Sequence, residues 1–164
     1  MPYESYYPPH AADLLRVRAE LTPDRAALLD VSTGITYTFA ELNERANRLS
    51  NWLRGLGVEK GDRVSILAQN SIHYVDLLYG LGKIGAILAP LNWRLTAREL
   101  IYIAGDCAPK VFVCGPEYTG LLDEIRREVE FPIIIGIEGA QINGALSYEE
   151  CGPAAPAAEP EQPL

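Results

Sequence analysis

The sequence predicts an α/β fold: a doubly wound, mainly parallel sheet with flanking helices, together with a short N-terminal β-hairpin. Apolar residues recur with helical spacing in some segments and form short strand-like runs in others, and the two kinds of segment alternate. Runs such as 64–68 and 133–137 are apolar at almost every position, which is typical of strands covered on both faces. Strands joined by helical crossovers run parallel. The resulting order, β-α-β-α-β-α-β, is that of a doubly wound sheet.

The first elements precede this repeat. Apolar positions within 13–21 fit a short helix, and the turn-forming residues Thr22-Pro23-Asp24 end it. Two β-prone stretches, 27–31 and 35–37, flank Ser32-Thr33-Gly34. This arrangement predicts a β-hairpin.

A longer helix is predicted to follow the hairpin. Thr38 and Glu41 have the spacing of a capping box, in which each side chain bonds to the backbone N–H of the other residue. Gly55 and Gly57 are typical of a helix end. The polar side of this helix carries two i,i+4 pairs, Glu41 with Arg45 and Glu44 with Arg48.

The repeat itself begins after Gly61. Its helix over 71–84 is apolar on most faces, so we expect it to be buried and to need cover on more than one side. A second capping box, Thr96 with Glu99, begins a further helix. The predicted elements in chain order are strand 64–68, helix 71–84, strand 86–89, the helix from Thr96, strand 111–114, helix 118–129 and strand 133–137.

Composition changes abruptly near the end of the chain. Residues 1–151 read as one α/β segment, whereas 152–164 are dominated by Pro, Ala, Glu and Gln. Such a composition buries little apolar surface. We therefore expect 152–164 to form a Pro/Ala/Glu-rich linker or disordered tail.

Charge and composition exclude several classes of function. The formal net charge is −8, with 14 basic and 22 acidic residues, and no basic run could neutralise phosphates. Nucleic-acid binding and docking on anionic membranes are therefore not expected. No apolar run is long enough to predict a membrane span, and no signal peptide is recognisable.

Cysteine and histidine chemistry is equally limited. Cys107, Cys114 and Cys151 form no CxxC pattern, which favours reduced thiols and a cytoplasmic location. The only histidines are His10 and His73, too few for a typical zinc site or a serine–histidine triad.

One glycine motif is similar to the phosphate-binding motif of dinucleotide-binding folds. Residues 80–85 match G-x-G-x-x-G, and Asp106 follows about 20 residues later, as in dinucleotide-binding folds. In such folds the glycines follow a strand and open a helix, so that backbone amides face the pyrophosphate. Here they lie at the end of the predicted helix 71–84, where the dipole is negative. We therefore interpret them as close helix–sheet packing plus a C-cap, with NAD binding as the less favoured reading.

Several other polar and aromatic residues lie near predicted strand ends. For each charged residue, a helix cap or a surface salt bridge is the favoured interpretation over a catalytic role, and the aromatic residues are interpreted as core or interface residues. The charged residues are Asp62, Asp76, Asp106, Lys83 and Arg94, and the aromatic residues are Trp52, Trp93, Tyr74 and Tyr79.

The sequence resembles the N-terminal portion of the adenylate-forming, AMP-binding superfamily. The similarity lies in 21–27, 36–47, 61–64, 85–95 and 99–100, in the family's order, and the ordered matches extend from about residue 11 to 129. Within the superfamily, the Pro-Leu-Asn-Trp-Arg-Leu run is similar to the acyl-CoA synthetase branch, including fatty-acid–CoA ligases.

This resemblance implies a two-step reaction. A carboxylate and ATP form an acyl-adenylate and pyrophosphate, and coenzyme A then takes the acyl group, with ATP, Mg²⁺ and coenzyme A serving the whole enzyme. The family's Thr/Ser/Gly-rich phosphate loop has no counterpart in this sequence. We therefore expect no catalytic, cofactor-binding or metal-binding residue here, and no activity from the segment alone.

Three functional hypotheses remain open. The leading one is the N-terminal fragment of an ATP-dependent acyl-CoA synthetase, whose partner would be the remainder of the parent polypeptide and whose substrate would be a carboxylic acid. The alternative is a non-catalytic scaffold or dimerisation module with the same fold, and the third is a dinucleotide-binding domain. Because helix 71–84 needs cover, we also expect the chain to self-associate as a homo-oligomer.

Overall fold

The N-terminal elements of the computed structural model, which describes residues 13–161, are a short helix and a hairpin. Helix α1, Leu14–Leu21, is N-capped by the Asp13 carboxylate, which accepts from the Arg16 amide at 3.0 Å. Strands β1, Ala26–Asp30, and β2, Ile35–Thr38, pair antiparallel, so the predicted hairpin is confirmed.

Helix α2, Phe39–Gly55, begins where the capping box predicts. The Thr38 hydroxyl accepts from the Glu41 amide at 3.2 Å, while the Glu41 carboxylate accepts from the Thr38 amide at 2.7 Å. Beyond the helix end, Gly57 has φ +85°, a left-handed conformation that a side chain would strain. The predicted start and end of this helix are therefore confirmed.

A five-stranded parallel sheet forms the centre of the molecule. Its spatial order is β4-β3-β5-β6-β7, and each neighbouring pair runs parallel. The fold class predicted from the sequence is thereby confirmed. The strands are β3 Arg63–Leu67, β4 Ile87–Pro90, β5 Val111–Cys114, β6 Ile133–Gly136 and β7 Leu146–Ser147.

The connecting helices agree with the predicted ones except near the C-terminus. The expected helix 118–129 is shorter: a 3₁₀ turn at Pro116–Tyr118 leads into α5, which ends at Ile125. The chain continues as turns over 126–128 and a bend at Val129 before it reaches Pro132. The helices that follow α2 are α3 Ile72–Ile84, α4 Ala97–Cys107, α5 Thr119–Ile125 and the unpredicted α6 Tyr148–Cys151.

The two faces of the sheet are covered by different helices. Successive side chains of a strand point to opposite faces, so Val64 and Ile66 of β3 pack with α2 and α3, while Leu67 packs with α4 and α5. Helix α3 is therefore covered from within the chain, and of its large apolar side chains Leu78 remains 57% exposed.

Residues 152–161, called the strap from here on, belong to the segment expected to form a Pro/Ala/Glu-rich linker or disordered tail. They contain no regular secondary structure beyond turns, yet they lie along α2. Ala155 and Pro160 are buried there. The composition correctly indicates too little apolar surface for a core, but hydrogen bonds to α2 hold the segment instead. The rest of the expected tail, 162–164, lies outside the described residues.

Candidate functional site

In a doubly wound sheet, ligands bind beside the carboxyl ends of the strands at the point where the strand order reverses. Here the chain leaves β3 toward β4 on one side and returns to β5 on the other, which places that point between β3 and β5. A Cβ on Gly115, after β5, would lie 3.1 Å from the Cβ of Ala68, after β3. The Tyr74 hydroxyl donates to the Ala68 carbonyl at 3.2 Å. Among the described residues, this edge is therefore closely packed between β3 and β5.

The glycines of 80–85 lie in the last two turns of α3 and just beyond it. Gly85 is the C-cap, with φ +70°, so the C-cap interpretation is confirmed. The interpretation as close helix–sheet packing was wrong, because Gly80 packs against helix α2. A Cβ added to Gly80 would lie 3.1 Å from the Ala46 carbonyl oxygen of α2. The Ser50 hydroxyl, 2.7 Å from the Gly80 carbonyl, joins the helices there. The geometry offers no phosphate cradle at these glycines.

A buried ionic network joins α2, α3 and α6. The Asp76 carboxylate is 1% exposed and accepts from Arg45 Nε at 2.9 Å and Nη2 at 2.6 Å. The Tyr148 hydroxyl donates to the same carboxylate at 2.7 Å. Burial, reinforced by the charge of Asp76, raises the pKa of Tyr148, so its phenol stays protonated.

This network corrects one predicted ion pair. Arg45 pairs with Asp76 of α3 and not with Glu41, whose carboxylate is used by the capping box. The other predicted pair, Arg48 with Glu44, is confirmed at 2.8 Å.

His73 lies at the edge of the network. Its ring packs edge-on against Tyr148 at 4.6 Å, Nε2 lies 3.8 Å from a Glu149 carboxylate oxygen, and Nδ1 has no hydrogen-bond partner among the described residues. Burial lowers the pKa of His73, although the charges of Asp76 and Glu149 oppose this. The imidazole is therefore held neutral in a packed position. His10 lies outside the described residues.

The remaining charged candidates are dispersed, and three of them have structural contacts. Lys83 is buried between Asp13 and Glu159, and the Asp62 carboxylate accepts from Lys110 Nζ at 2.7 Å, a contact that lowers the pKa of Asp62. Arg94 lies over the Trp93 ring at 4.6 Å, and Asp106 is exposed on α4. The structure brings none of these residues into a common crevice. The Arg45–Asp76–Tyr148 contacts were missed because no local spacing signals them.

Among residues 13–161, no group of three or more His, Cys, Asp or Glu residues could hold a metal ion. At the N-terminus of α4, the Glu99 amide donates to the Thr96 hydroxyl, and the Glu99 carboxylate adds negative charge there. The described helices include none that is long and apolar enough to cross a membrane.

Comparison with known proteins gives a consistent result. The chain matches the family model "AMP-binding enzyme" over residues 15–163. It is 39% identical over 119 residues to a long-chain-fatty-acid–CoA ligase of Mycobacterium tuberculosis, a match covering 73% of this chain and 24% of that protein. It is 45% identical over 144 residues to the 3-oxocholest-4-en-26-oate–CoA ligase of Rhodococcus rhodochrous, covering 84% of this chain and 26% of that protein. The chain thus spans about a quarter of the length of these curated relatives.

Solved structures agree with the sequence matches. A fatty acyl CoA synthetase of Mycobacterium tuberculosis superimposes with a TM-score of 0.78 at 34% identity, over 92% of this chain and 29% of that one. An anthranilate CoA ligase in complex with anthranoyl-AMP gives a TM-score of 0.83 at 28% identity, over 90% of this chain and 28% of that one.

Proposed function

Because the chain belongs to the AMP-binding enzyme family, we propose that it forms the N-terminal part of an ATP-dependent acyl-CoA synthetase. The whole enzyme would convert a carboxylic acid, ATP and coenzyme A into acyl-CoA, AMP and pyrophosphate, with Mg²⁺ as the metal and the cytoplasm as its location. The observation that carries the proposal is the ordered similarity to CoA ligases along most of the chain.

Within that enzyme, the role of residues 13–161 is to provide a rigid α/β layer. Two hydrophobic cores fix the helices on the sheet, and the buried network around Asp76 fixes α2, α3 and α6 to one another. Its buried charged side chains Asp76 and Lys83 are occupied in structural contacts. We therefore propose that catalytic, nucleotide-binding and metal-binding groups come from the rest of the parent polypeptide.

The test is pyrophosphate exchange. The 164-residue chain is incubated with a panel of fatty and aromatic carboxylic acids, Mg-ATP and labelled pyrophosphate, with an established full-length CoA ligase as the positive control. No label should enter ATP with the chain alone, because no residue of it matches the phosphate loop. Exchange above the enzyme-free rate would overturn the proposed inactivity. The coding sequence beyond residue 164 provides a second test, since it should continue into a Thr/Ser/Gly-rich loop.

A second candidate is a non-catalytic scaffold that dimerises through the hairpin. The observation that favours it is a set of exposed apolar side chains there, Leu29 at 57%, Ile35 at 48% and Val31 at 87% exposure. Sedimentation velocity at increasing concentration distinguishes the two candidates. A dimer that Val31→Ser dissociates would favour the scaffold, and a monomer at all concentrations would eliminate it.

A further inference from the structure

The strap is held to α2 mainly through its backbone carbonyls. Asn51 Nδ2 lies 2.8 Å from the carbonyl oxygens of both Pro156 and Ala158, and Asn47 Nδ2 donates to that of Ala157 at 3.0 Å. Arg48 Nη1 donates to the carbonyls of residues 153 and 155 at 2.9 and 2.7 Å. Contacts of this kind engage the backbone of the strap and are largely insensitive to the side chains it carries.

The donors form a regular stripe along the helix. Asn43, Asn47 and Asn51 are spaced four residues apart, so they lie on one face of α2, and each amide donates to the strap. Asparagine is among the weaker helix formers. Three of them in one stripe therefore indicate a surface kept for hydrogen bonding, which we call the asparagine ladder.

The composition of the strap suits this surface. Pro153, Pro156 and Pro160 lack backbone N–H groups and favour extended geometry, so the segment presents carbonyl acceptors and few competing donors. Glu159 adds one side-chain anchor, because its carboxylate accepts from Asn43 Nδ2 at 2.6 Å and from Lys83 Nζ at 3.0 Å.

This anchor is exchangeable. Lys83 is 2% exposed and also donates to Asp13 Oδ2 at 2.6 Å, so its buried ammonium keeps a carboxylate partner when Glu159 leaves. The cost of an unpaired buried charge, which normally locks such contacts, is therefore avoided.

We propose that the asparagine ladder is a docking surface for an extended, proline-containing peptide with one carboxylate. The strap occupies it in cis, and a peptide of the same kind in trans can take its place. The inference does not depend on the proposed ligase function.

The test uses the whole 164-residue chain and a fluorescein-labelled peptide with the sequence of residues 152–161, measured by fluorescence anisotropy. Glu159→Gln weakens the cis occupant, so the peptide should bind this variant at least about threefold more tightly than the unaltered chain. Glu161→Gln is the matched control, because the Glu161 carboxylate is 93% exposed and lies 3.8 Å from Arg54. It should leave the affinity unchanged.

Two further measurements make the test specific to the ladder. A peptide carrying Glu159→Gln should bind the Glu159→Gln chain at least about threefold more weakly than the unaltered peptide, because only the unaltered peptide restores the carboxylate contacts with Asn43 and Lys83. The side-chain amide NMR signals of Asn43, Asn47 and Asn51 should shift on titration. Equal affinities for the Glu159→Gln and Glu161→Gln variants, or binding that leaves these amide signals unmoved, would overturn the proposal.

Discussion

Asp76→Asn tests whether the buried network holds α2, α3 and α6 together. The Asp76 carboxylate is 1% exposed and accepts three hydrogen bonds, two from Arg45 and one from Tyr148. An amide of the same shape removes the charge and places an NH₂ group where one of these donors points.

The expected loss in the free energy of unfolding follows from the burial of the Arg45–Asp76 ion pair. Breaking a fully buried ion pair typically costs about 3–5 kcal/mol, but the Arg45 side chain is 30% exposed and can recover part of its hydration. We therefore expect a loss of about 3 kcal/mol in the free energy of unfolding, which corresponds to a fall in Tm of roughly 6–12 °C for a chain of this length.

Urea denaturation followed by circular dichroism measures this loss. The control is Glu20→Gln, which makes the same chemical change in the exposed Arg16–Glu20 pair and should cost less than about 0.5 kcal/mol. If Asp76→Asn and Glu20→Gln destabilise the chain equally, the buried charge of Asp76 does not hold the three helices together.

Three further results are expected. Burial lowers the pKa of His73 in the folded chain, so the unfolded chain binds more protons below about pH 6.5. The free energy of unfolding should therefore fall as the pH drops below about 6.5, by at most about 1.4 kcal/mol per pH unit. In urea titrations His73→Gln should flatten that slope, and an unchanged slope would contradict the assignment to His73. Gly80→Ala should destabilise the chain by about 1–3 kcal/mol in thermal melts, because the new Cβ overpacks the contact with α2. Gly82→Ala is the control: its Cβ meets nothing within 4 Å, so it should be neutral or stabilising by up to about 1 kcal/mol. Effects of the same sign and size for the two variants would refute the close helix contact. Burial raises the pKa of Cys114 to about 12, so its thiol should not react with iodoacetamide in the folded chain. Mass spectrometry should find Cys114 unmodified while the half-buried Cys107 and Cys151 react, and equal rates at all three cysteines would contradict this.

Local chemistry made the helix starts predictable. The capping boxes at Thr38 and Thr96 use residues three positions apart, and both helices begin directly after them. Strand β5 was predicted with its observed bounds, Val111–Cys114, because a strand buried on both faces is marked by its composition alone.

Long-range polar contacts were not predictable in the same way. Arg45 has a local carboxylate at Glu41, yet it pairs with Asp76, which is 31 residues away in the sequence. Tyr148 reaches that carboxylate across 72 residues, and its two-residue strand β7 and four-residue helix α6 are too short to show periodicity. Docking of the strap was missed because its composition reports apolar content and not hydrogen bonds to a distant helix.

The position of Lys83 has a consequence for the topology of the chain. Its Nζ lies 2.6 Å from Asp13 Oδ2 and 3.0 Å from Glu159 Oε2, so these two carboxylates, near opposite ends of the described range, are within about 6 Å of each other. The two ends of the described range therefore lie close together. A circular permutant that joins 13 to 159 through a short linker and opens at the exposed hairpin turn 31–34 would keep the sheet, both cores and the Lys83 contacts intact.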